Sequence, residues 1–290
     1  MTWPLVVGVD GSDGSLRAVD WAADEAARHG LPLRLVYASP WELHEAGAAG
    51  EREPPAERRP AEHIVAAAAE RAGRRAPGVE IGTDVVPEEA VDALLREAGH
   101  AFAVVTGTCG HGALTGALLG SVGRTVADHA DGPVIVVRGD RAGLAGTHAR
   151  ILLGAGEPGT AADAVRFAFR EAEARRCTLD VVRAWHCSVY ESAEFPAPAE
   201  DPSRAHQRQA AATLDALLGD ATAEHPRVRV RRAAVRGSAR RVLLHRSAAA
   251  DLVVIGACRS TGPFAGGFGH AGHVLLHHAA CPVAVVPHRR

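Results

Sequence analysis

The sequence predicts an α/β protein of two tandem domains, each an open parallel five-stranded sheet with helices on both faces. Three observations lead to this prediction. The chain has 290 residues, enough for two domains at the usual ~100–200 residues each. Its second half repeats the motifs of its first half in the same order. Short, wholly apolar runs alternate with amphipathic segments, as is typical of a parallel sheet covered on both faces.

The internal repeat is visible at the strands. In matching order, the paired segments are Leu5–Gly8 with Ile151–Gly154, Val104–Gly107 with Val253–Gly256, and Val134–Val137 with Val283–Val286. A repeat of this length marks two copies of one structural unit. We therefore divide the chain near residue 145, within the short Gly-rich stretch 139–146, and predict domains at 1–140 and 148–290.

The elements of the first domain follow from its residues in order. Apolar runs of strand length predict strands at Leu5–Val9, Leu33–Ala38, Val79–Val86, Ala103–Thr106 and Val134–Val137. Apolar residues near helical spacing predict helices at Gly14–His29, Ile64–Arg75, Glu88–Ala98 and Val122–His129. Two segments are predicted loops: the polar, proline-containing Pro40–Glu62 and the Gly-rich Gly107–Leu119. The second domain is predicted to repeat this order.

Composition argues against several classes of partner. The formal net charge is -2, so no global basic field draws the chain to nucleic acid or to a membrane surface. No run approaches the ~18 apolar residues of a membrane span, and the N-terminus does not resemble a signal peptide. The 5 cysteines are scattered, which suits reduced thiols in the cytoplasm.

The loops after the first and fourth strands are the first candidates for a ligand site, because open parallel sheets bind ligands beyond the carboxyl ends of their strands. Asp10 ends the first strand, where its carboxylate could accept hydrogen bonds from ribose hydroxyls; alternatively, Asp-Gly-Ser forms a turn that caps the next helix. The glycines after the fourth strand allow backbone N–H groups to converge on an anion. Ser121 is the expected N-cap of the helix that follows.

Gly107, Gly110, Gly120 and Ser121 are spaced as G-x2-G-x9-G followed by Ser. This spacing resembles the ATP-binding signature of the universal stress protein family. The first strand and the entry to the last strand, beginning at Cys281, are also similar to that family, and the resemblance spans both halves. It implies a Rossmann-like, adenine nucleotide alpha hydrolase-like fold, a cytoplasmic role in stress response, and ATP bound with Mg²⁺ or Mn²⁺.

The same resemblance implies which residues of the first domain hold ATP. Asp10 would contact the ribose, and Val36 would meet adenine through its backbone. The β- and γ-phosphates, with the metal, would lie on Gly120, Ser121 and Val122. Gly8 would let the first strand pass close to the nucleotide. Gly107 and Gly110 would lie along the ribose and phosphates. The remaining implied binding residues are Thr108, His111 and Gly112.

The second domain departs from this pattern. Its counterparts to Asp10, Gly110, Gly112 and Ser121 are Gly156, Arg259, Thr261 and His270. The change at Gly156 removes the ribose acceptor, and Arg259 places a Cβ where backbone should meet phosphate. We therefore expect normal ATP binding only in the first domain, although an arginine can also bind phosphate in a rearranged site.

Three functions fit these observations. The first, which the intact signature favours, is a non-enzymatic regulatory module whose ATP occupancy changes a surface for an unknown protein partner. The two domains would pack as a pseudo-dimer through their last strands, and the chain could form a homodimer. The second is a slow ATPase, for which His111 is the nearest candidate base. The third is an interaction protein that works without ATP.

Other side chains have two interpretations each. His273 and His277 are spaced i, i+4 near His270, His278 and Cys281, as a metal site could be, but a polar helix face is favoured. Cys109 and Cys258 could sense oxidants, but small loop residues are favoured. The Arg-rich segment 227–241 could bind RNA, but the solvated face of a strand is favoured because no aromatic residues interleave.

Overall fold

The computed structural model describes residues 3–39, 58–108, 120–186, 202–257 and 269–288. The chain divides into two compact units, Met1–Arg138 and Gly139–Arg290. Each unit contains five parallel strands with helices packed against them, so the predicted α/β class is confirmed. Among the described helices, none combines the length and apolar character needed to span a bilayer.

The sheet of the first unit has the strand order β3-β2-β1-β4-β5. Its strands are β1 (Leu5–Gly8), β2 (Leu33–Ala38), β3 (Ile81–Val86), β4 (Ala103–Gly107) and β5 (Val134–Val137). Its helices are α1 (Asp13–His29), α2 (Arg58–Arg75), α3 (Ala90–Ala98) and α4 (Ser121–His129). The chain builds outward from β1 through β2 to β3 and then returns to the other side, so strand order reverses between β1 and β4.

The second unit repeats this arrangement with the order β8-β7-β6-β9-β10. Its strands are β6 (Arg150–Gly154), β7 (Thr178–Trp185), β8 (Arg229–Arg236), β9 (Leu252–Ala257) and β10 (Val283–Pro287). Its helices are α5 (Arg141–Ala145), α6 (Pro158–Arg175), α7 (Pro202–Glu224), α8 (Ala239–Ser247) and α9 (Gly269–His278). The reversal of strand order lies between β6 and β9.

Helices cover both faces of the sheet, as predicted. A Cβ placed on Gly8 of β1 would point at Leu94 of α3, whereas one on Gly107 of β4 would point at Gly14 of α1. Because neighbouring residues along a strand point to opposite faces, α1 and α3 lie on opposite sides of the sheet. In each described sheet the central strands are largely buried and rich in Val, Leu and Ile.

Helix α1 shows how the sequence determines a local element. The Ser12 hydroxyl accepts a hydrogen bond from the Ser15 N–H at 3.2 Å and starts the helix. Gly30 ends it in the left-handed conformation, with φ 63°. On its outer side, Asp20 forms two 2.6 Å hydrogen bonds with Arg71 of α2. Arginine and carboxylate meet in a bidentate pair, which fixes the register of the two helices.

Three predictions about element ends were wrong. Helix α2 begins at Arg58, inside the predicted loop Pro40–Glu62, because its buried small residues already start at Ala61. Residues 40–57 lie outside the described part. The predicted linker 139–146 contains α5, started by the Asp140 side chain and ended by Gly146. Ser121 is the first residue of α4 and Gly120 is its N-cap, because an extended Gly120 backbone starts the helix without a capping side chain.

Candidate functional site

A cleft of about 490 Å³ opens at the carboxyl ends of β1, β2 and β4. This is the point at which strand order reverses, where open α/β sheets bind ligands. Its volume lies in the range of small-molecule sites. Eight of the eleven predicted site residues line it: Gly8, Asp10, Val36, Gly107, Thr108, Gly120, Ser121 and Val122. The other three, Gly110, His111 and Gly112, lie outside the described residues.

Asp10 belongs to a turn as well as to the cleft. Its Oδ1 accepts hydrogen bonds from the Ser12 N–H at 2.9 Å and from the Ser12 hydroxyl at 2.6 Å. The same Ser12 hydroxyl caps α1 through Ser15. The turn that the sequence offered as an alternative is therefore present. Because a carboxylate has about four acceptor positions, the turn and a role toward a ligand are compatible.

The first turn of α4 forms another wall of the cleft. Gly120, Ser121 and Val122 all line it, together with the buried Gly123. The Gly120 N–H donates to the Thr108 carbonyl, which joins the end of β4 to the start of α4. N–H groups in the first turn of a helix have no partner within the helix and carry partial positive charge. An anionic group is therefore favoured here.

Gly8 and Gly107 line the cleft, and each also lies where a neighbouring helix packs closely against its strand. A Cβ on Gly107 would overlap the backbone carbonyl of Gly14 and lie 2.9 Å from the Ser15 nitrogen. A Cβ on Gly8 would lie 2.9 Å from Leu94 Cδ1, the end of a side chain that can move. The backbone contact at Gly107 cannot be relieved so easily, so Gly107 is needed for the close approach of β4 to α1.

Val36 is the predicted backbone contact for adenine. Its side chain is buried, and its carbonyl accepts a 2.9 Å hydrogen bond from the Val9 N–H. This bond holds the end of β1 against β2. A carbonyl oxygen has two lone pairs, so the second one is the group that could meet a base.

Several cleft residues were missed by the sequence analysis. Tyr37 follows Val36 on β2, and Thr106 precedes Gly107 on β4. The apolar side is supplied by α3 through Ala90, Ala93 and Leu94. The i, i+3, i+4 spacing of these three predicts a buried helix face, but only the fold shows that this face covers the ends of the strands.

The equivalent region of the second unit is built differently. Strand register aligns Gly154 with Val182 as it aligns Gly8 with Val36, so Arg183 corresponds to Tyr37. The Arg183 guanidinium donates to the Gly156 carbonyl at 2.6 Å and to Glu157 Oε1 at 2.9 Å. An arginine therefore lies against the residue that corresponds to Asp10.

The structure adds little support for a metal site at the C-terminal histidines. The rings of His273 and His277 lie 4.6 Å apart, and His270 Nε2 lies 2.9 Å from an Arg240 nitrogen. In the described portion of the chain, these histidines belong to no group of three or more side chains that could share a metal ion. Cys109 and Cys258 lie outside the described residues.

The arginines of the segment 227–241 lie partly on the outer face of a strand. Arg229 and Arg231 are exposed on strand β8, as the solvated-face interpretation predicts.

The Cys177 thiol of the second unit is partly buried. Burial raises the pKa of this thiol to about 11. A thiol with so high a pKa is protonated at neutral pH and is a poor nucleophile.

The fold and the cleft together define a tandem protein of Rossmann-like α/β domains with a ligand-sized cleft in its first domain. A model of the universal stress protein family matches residues 1–138 and 148–287. The chain therefore belongs to the universal stress protein family, which confirms the resemblance found in the sequence.

Relatives of the same length support this assignment. Two universal stress proteins of Mycobacterium tuberculosis H37Rv are similar to this chain. One is 31% identical over 293 residues, covering 97% of this chain and 95% of the relative. The other is 32% identical over 294 residues, covering 97% and 96%. The solved universal stress protein from Archaeoglobus fulgidus DSM 4304 covers 98% of both chains with a TM-score of 0.71; its identity is 14%, so it supports the fold alone.

Proposed function

We propose that this chain binds one molecule of ATP, with Mg²⁺ or Mn²⁺, in the cleft of its first unit and acts as a regulatory module in stress response. The observation that supports this most directly is the composition of the cleft. It combines a carboxylate at Asp10, a buried apolar side at Leu94, and the first turn of a helix at Gly120 and Ser121. These are groups suited to ribose, base and phosphate in turn.

The described residues fit such a ligand. The volume of about 490 Å³ suits a nucleotide-sized molecule, and the first turn of α4 compensates phosphate charge without a lysine. Among the described residues that line the cleft, Asp10 is the one carboxylate. The divalent cation would therefore be held mainly by phosphate oxygens, with the Ser121 hydroxyl within the same wall.

The proposed activity is regulation rather than catalysis. The candidate base for ATP hydrolysis, His111, lies outside the described residues, so the alternative of a slow ATPase is tested by turnover rather than by geometry. We propose that nucleotide occupancy alters a surface that a protein partner recognises in the cytoplasm. Pairing of the two domains through their last strands, and of two chains as a homodimer, belongs to the same proposal.

Calorimetric titration of Mg-ATP into the nucleotide-stripped chain tests the proposal. We expect one site per chain. In Asp10→Asn, we expect binding to weaken by about 10-fold or more, because a hydrogen bond to a charged group contributes about 1.5–3 kcal/mol. The amide oxygen keeps an acceptor for Ser12, so the turn is preserved.

Asp13→Asn is the matched control. It removes the same charge from the start of the same helix, but the exposed Asp13 is not part of the cleft, so affinity should not change. Two sites per chain would contradict the assignment of ATP to the first unit alone. Absence of binding would favour the function that works without ATP.

A further inference from the structure

We propose that the hydroxyl of Thr106 hydrogen-bonds the nucleoside part of the nucleotide in the cleft and helps to determine affinity for it. This inference rests on the proposed function, because it names a contact within the same site. Thr106 lies on β4, directly before Gly107, and lines the cleft.

The first observation is an unsatisfied polar atom. Thr106 is only 5% exposed, and within the described chain its Oγ1 is buried with no hydrogen-bond partner. Most buried side-chain polar atoms in native proteins have a partner, so such an exception needs an explanation. A ligand that supplies the missing partner explains why a polar side chain is kept here.

The second observation is the position of Thr106 in the sheet. The ladder pairs Val7 with Val105 and Gly8 with Val36. The next step along β1 and β4 places Gly8 beside Thr106, so Val36, Gly8 and Thr106 form a row across three strands. Residues in one row point to the same face, here toward Leu94 of α3.

The centre of this row has no side chain from β1. Gly8 is covered instead by Leu94 of α3, whose Cδ1 lies 2.9 Å from where a Gly8 Cβ would be, so Thr106 borders the cleft without a side-chain neighbour on β1. A rotation of about 120° about χ1 brings the threonine hydroxyl to the staggered position that the methyl held and moves the methyl to the position of the Cβ hydrogen, without moving the backbone. The hydroxyl can therefore turn toward a ligand that occupies the cleft.

The second unit shows the same row without the polar atom. There the ladder pairs Gly154 with Ile255, the counterpart of Thr106. Leu243 covers Gly154 as Leu94 covers Gly8, and Ile255 Cγ2 lies 3.4 Å from where a Gly154 Cβ would be, so an apolar side chain stands in the place of Thr106. In that unit, Gly156 replaces Asp10 and Arg183 lies against it. The polar residue occurs in the unit whose cleft keeps the carboxylate.

The row also indicates which part of the ligand is contacted. Thr106 shares it with Val36, the proposed contact for the base, and Asp10 lies two residues beyond Gly8. The phosphates are assigned to the first turn of α4, at Gly120 and Ser121. The geometry therefore points to the base or ribose, and the contact should be kept by adenosine without phosphates.

Thr106→Val tests this because valine keeps the shape and removes only the hydroxyl. We expect both Mg-ATP and adenosine to bind about 3- to 10-fold more weakly, as for loss of one neutral hydrogen bond. In the absence of ligand, we expect Tm to rise by about 2–4 °C, because the unsatisfied buried hydroxyl is gone. Titration calorimetry and thermal unfolding of the full chain measure the two effects.

Two variants complete the experiment. Thr83→Val makes the same change on the exposed part of β3, away from the cleft, and should leave both affinities unchanged. Thr106→Ser keeps the hydroxyl and should bind within about 2-fold of the original chain, because the hydrogen bond remains.

The possible failures are distinguishable. If the unaltered chain binds neither ligand, the proposed function falls and this inference falls with it. If it binds both and Thr106→Val binds them equally well, the inference alone is overturned, and a rise in Tm would then mark a buried hydroxyl with no ligand role. A loss confined to Mg-ATP would overturn the assignment to the nucleoside part.

Discussion

The two units share one strand order but differ in the loop that follows their first strand. In the first unit, Asp10 binds Ser12, and Ser12 caps α1. In the second, the counterpart of Ser12 is Pro158, and α6 begins there after Glu157 with no side-chain cap. The Arg183 guanidinium takes the place of the carboxylate network by binding the Gly156 carbonyl.

This difference separates the requirements of the fold from those of the site. Both helices begin at nearly the same point, and both sheets keep the same register between their first two strands. The fold therefore tolerates either a capping serine or a proline at the helix start. The carboxylate of Asp10 and the hydroxyl of Thr106 are replaced in the second unit by Gly156 and Ile255, so the fold itself does not require them, and the proposed ligand gives a reason for them in the first unit.

The largest expected effect distinguishes two glycines that look equivalent in sequence. Gly107→Ala should destabilise the chain by about 1–3 kcal/mol, because its Cβ would overlap the backbone of Gly14 and overpacking costs about that much. Gly256→Ala should change stability by less than about 0.5 kcal/mol, because its Cβ would meet the Thr160 oxygen at an ordinary 3.4 Å.

Urea unfolding of both variants measures these effects, with far-ultraviolet circular dichroism as the signal. Equal destabilisation by the two changes would mean that α6 approaches β9 as closely as α1 approaches β4. If alanine at Gly107 does not lower stability, the remaining reason for glycine there would be the close approach of the backbone to a phosphate of the ligand.

The next prediction transfers a feature of the second unit to the first. Arg183 reaches Gly156 from its position on β7, so an arginine in place of Tyr37 should reach Asp10. Tyr37→Arg should weaken Mg-ATP binding by about 10-fold, since an ion pair with Asp10 would compete with the ribose. Calorimetric titration measures the change.

Arg183→Met is the reciprocal control. It removes the guanidinium of a side chain that is 17% exposed while keeping the aliphatic stem, and it should lower stability by about 1 kcal/mol through loss of its hydrogen bonds. It should not create a second nucleotide site, because Gly156 supplies no carboxylate. Tighter ATP binding by Tyr37→Arg would place Tyr37 near the phosphates and contradict the comparison.

The fold was predictable because its signals are local and repeated. Apolar strands such as Leu33–Ala38 and Val134–Val137 were predicted to the residue, and the repeat supplied the second unit. The start of α2 was missed because its buried face uses only alanines and Val65 among charged neighbours. Small residues give a weak hydrophobic period.

The site was predictable only in part. Residues at strand ends, such as Asp10 and Gly107, follow from the rule that ligands bind at the carboxyl edge. Thr106 carries no spacing signal, because its importance depends on the row that it forms with Gly8 and Val36 across three strands, and Tyr37 is recognised only because the fold places it in the cleft. The role of Arg183 depends on a contact with Gly156, 27 positions away in sequence, which no local pattern encodes.

The smallest expected effect concerns how the first long helix of each unit ends. Gly30 and Arg176 occupy corresponding C-caps, both left-handed, with φ 63° and 51°. In each case the cap N–H donates back to carbonyls of the last turn. Arg176→Gly should raise stability by about 0.5–1 kcal/mol. The left-handed conformation costs a non-glycine residue about 1–2 kcal/mol, and glycine avoids that cost. Part of the gain is lost because glycine also increases the conformational entropy of the unfolded chain.

Arg176→Ala separates backbone strain from charge. Arg176 lines a surface pocket with Arg227 and Arg229, so removal of its charge could stabilise the chain by itself. Alanine removes that charge but keeps the Cβ, and it should therefore gain less than glycine in urea unfolding. Equal gains would assign the effect to repulsion between arginines. A gain confined to glycine would show that the second unit accepts a strained cap where the first unit has glycine, with the same helix end and the same following strand.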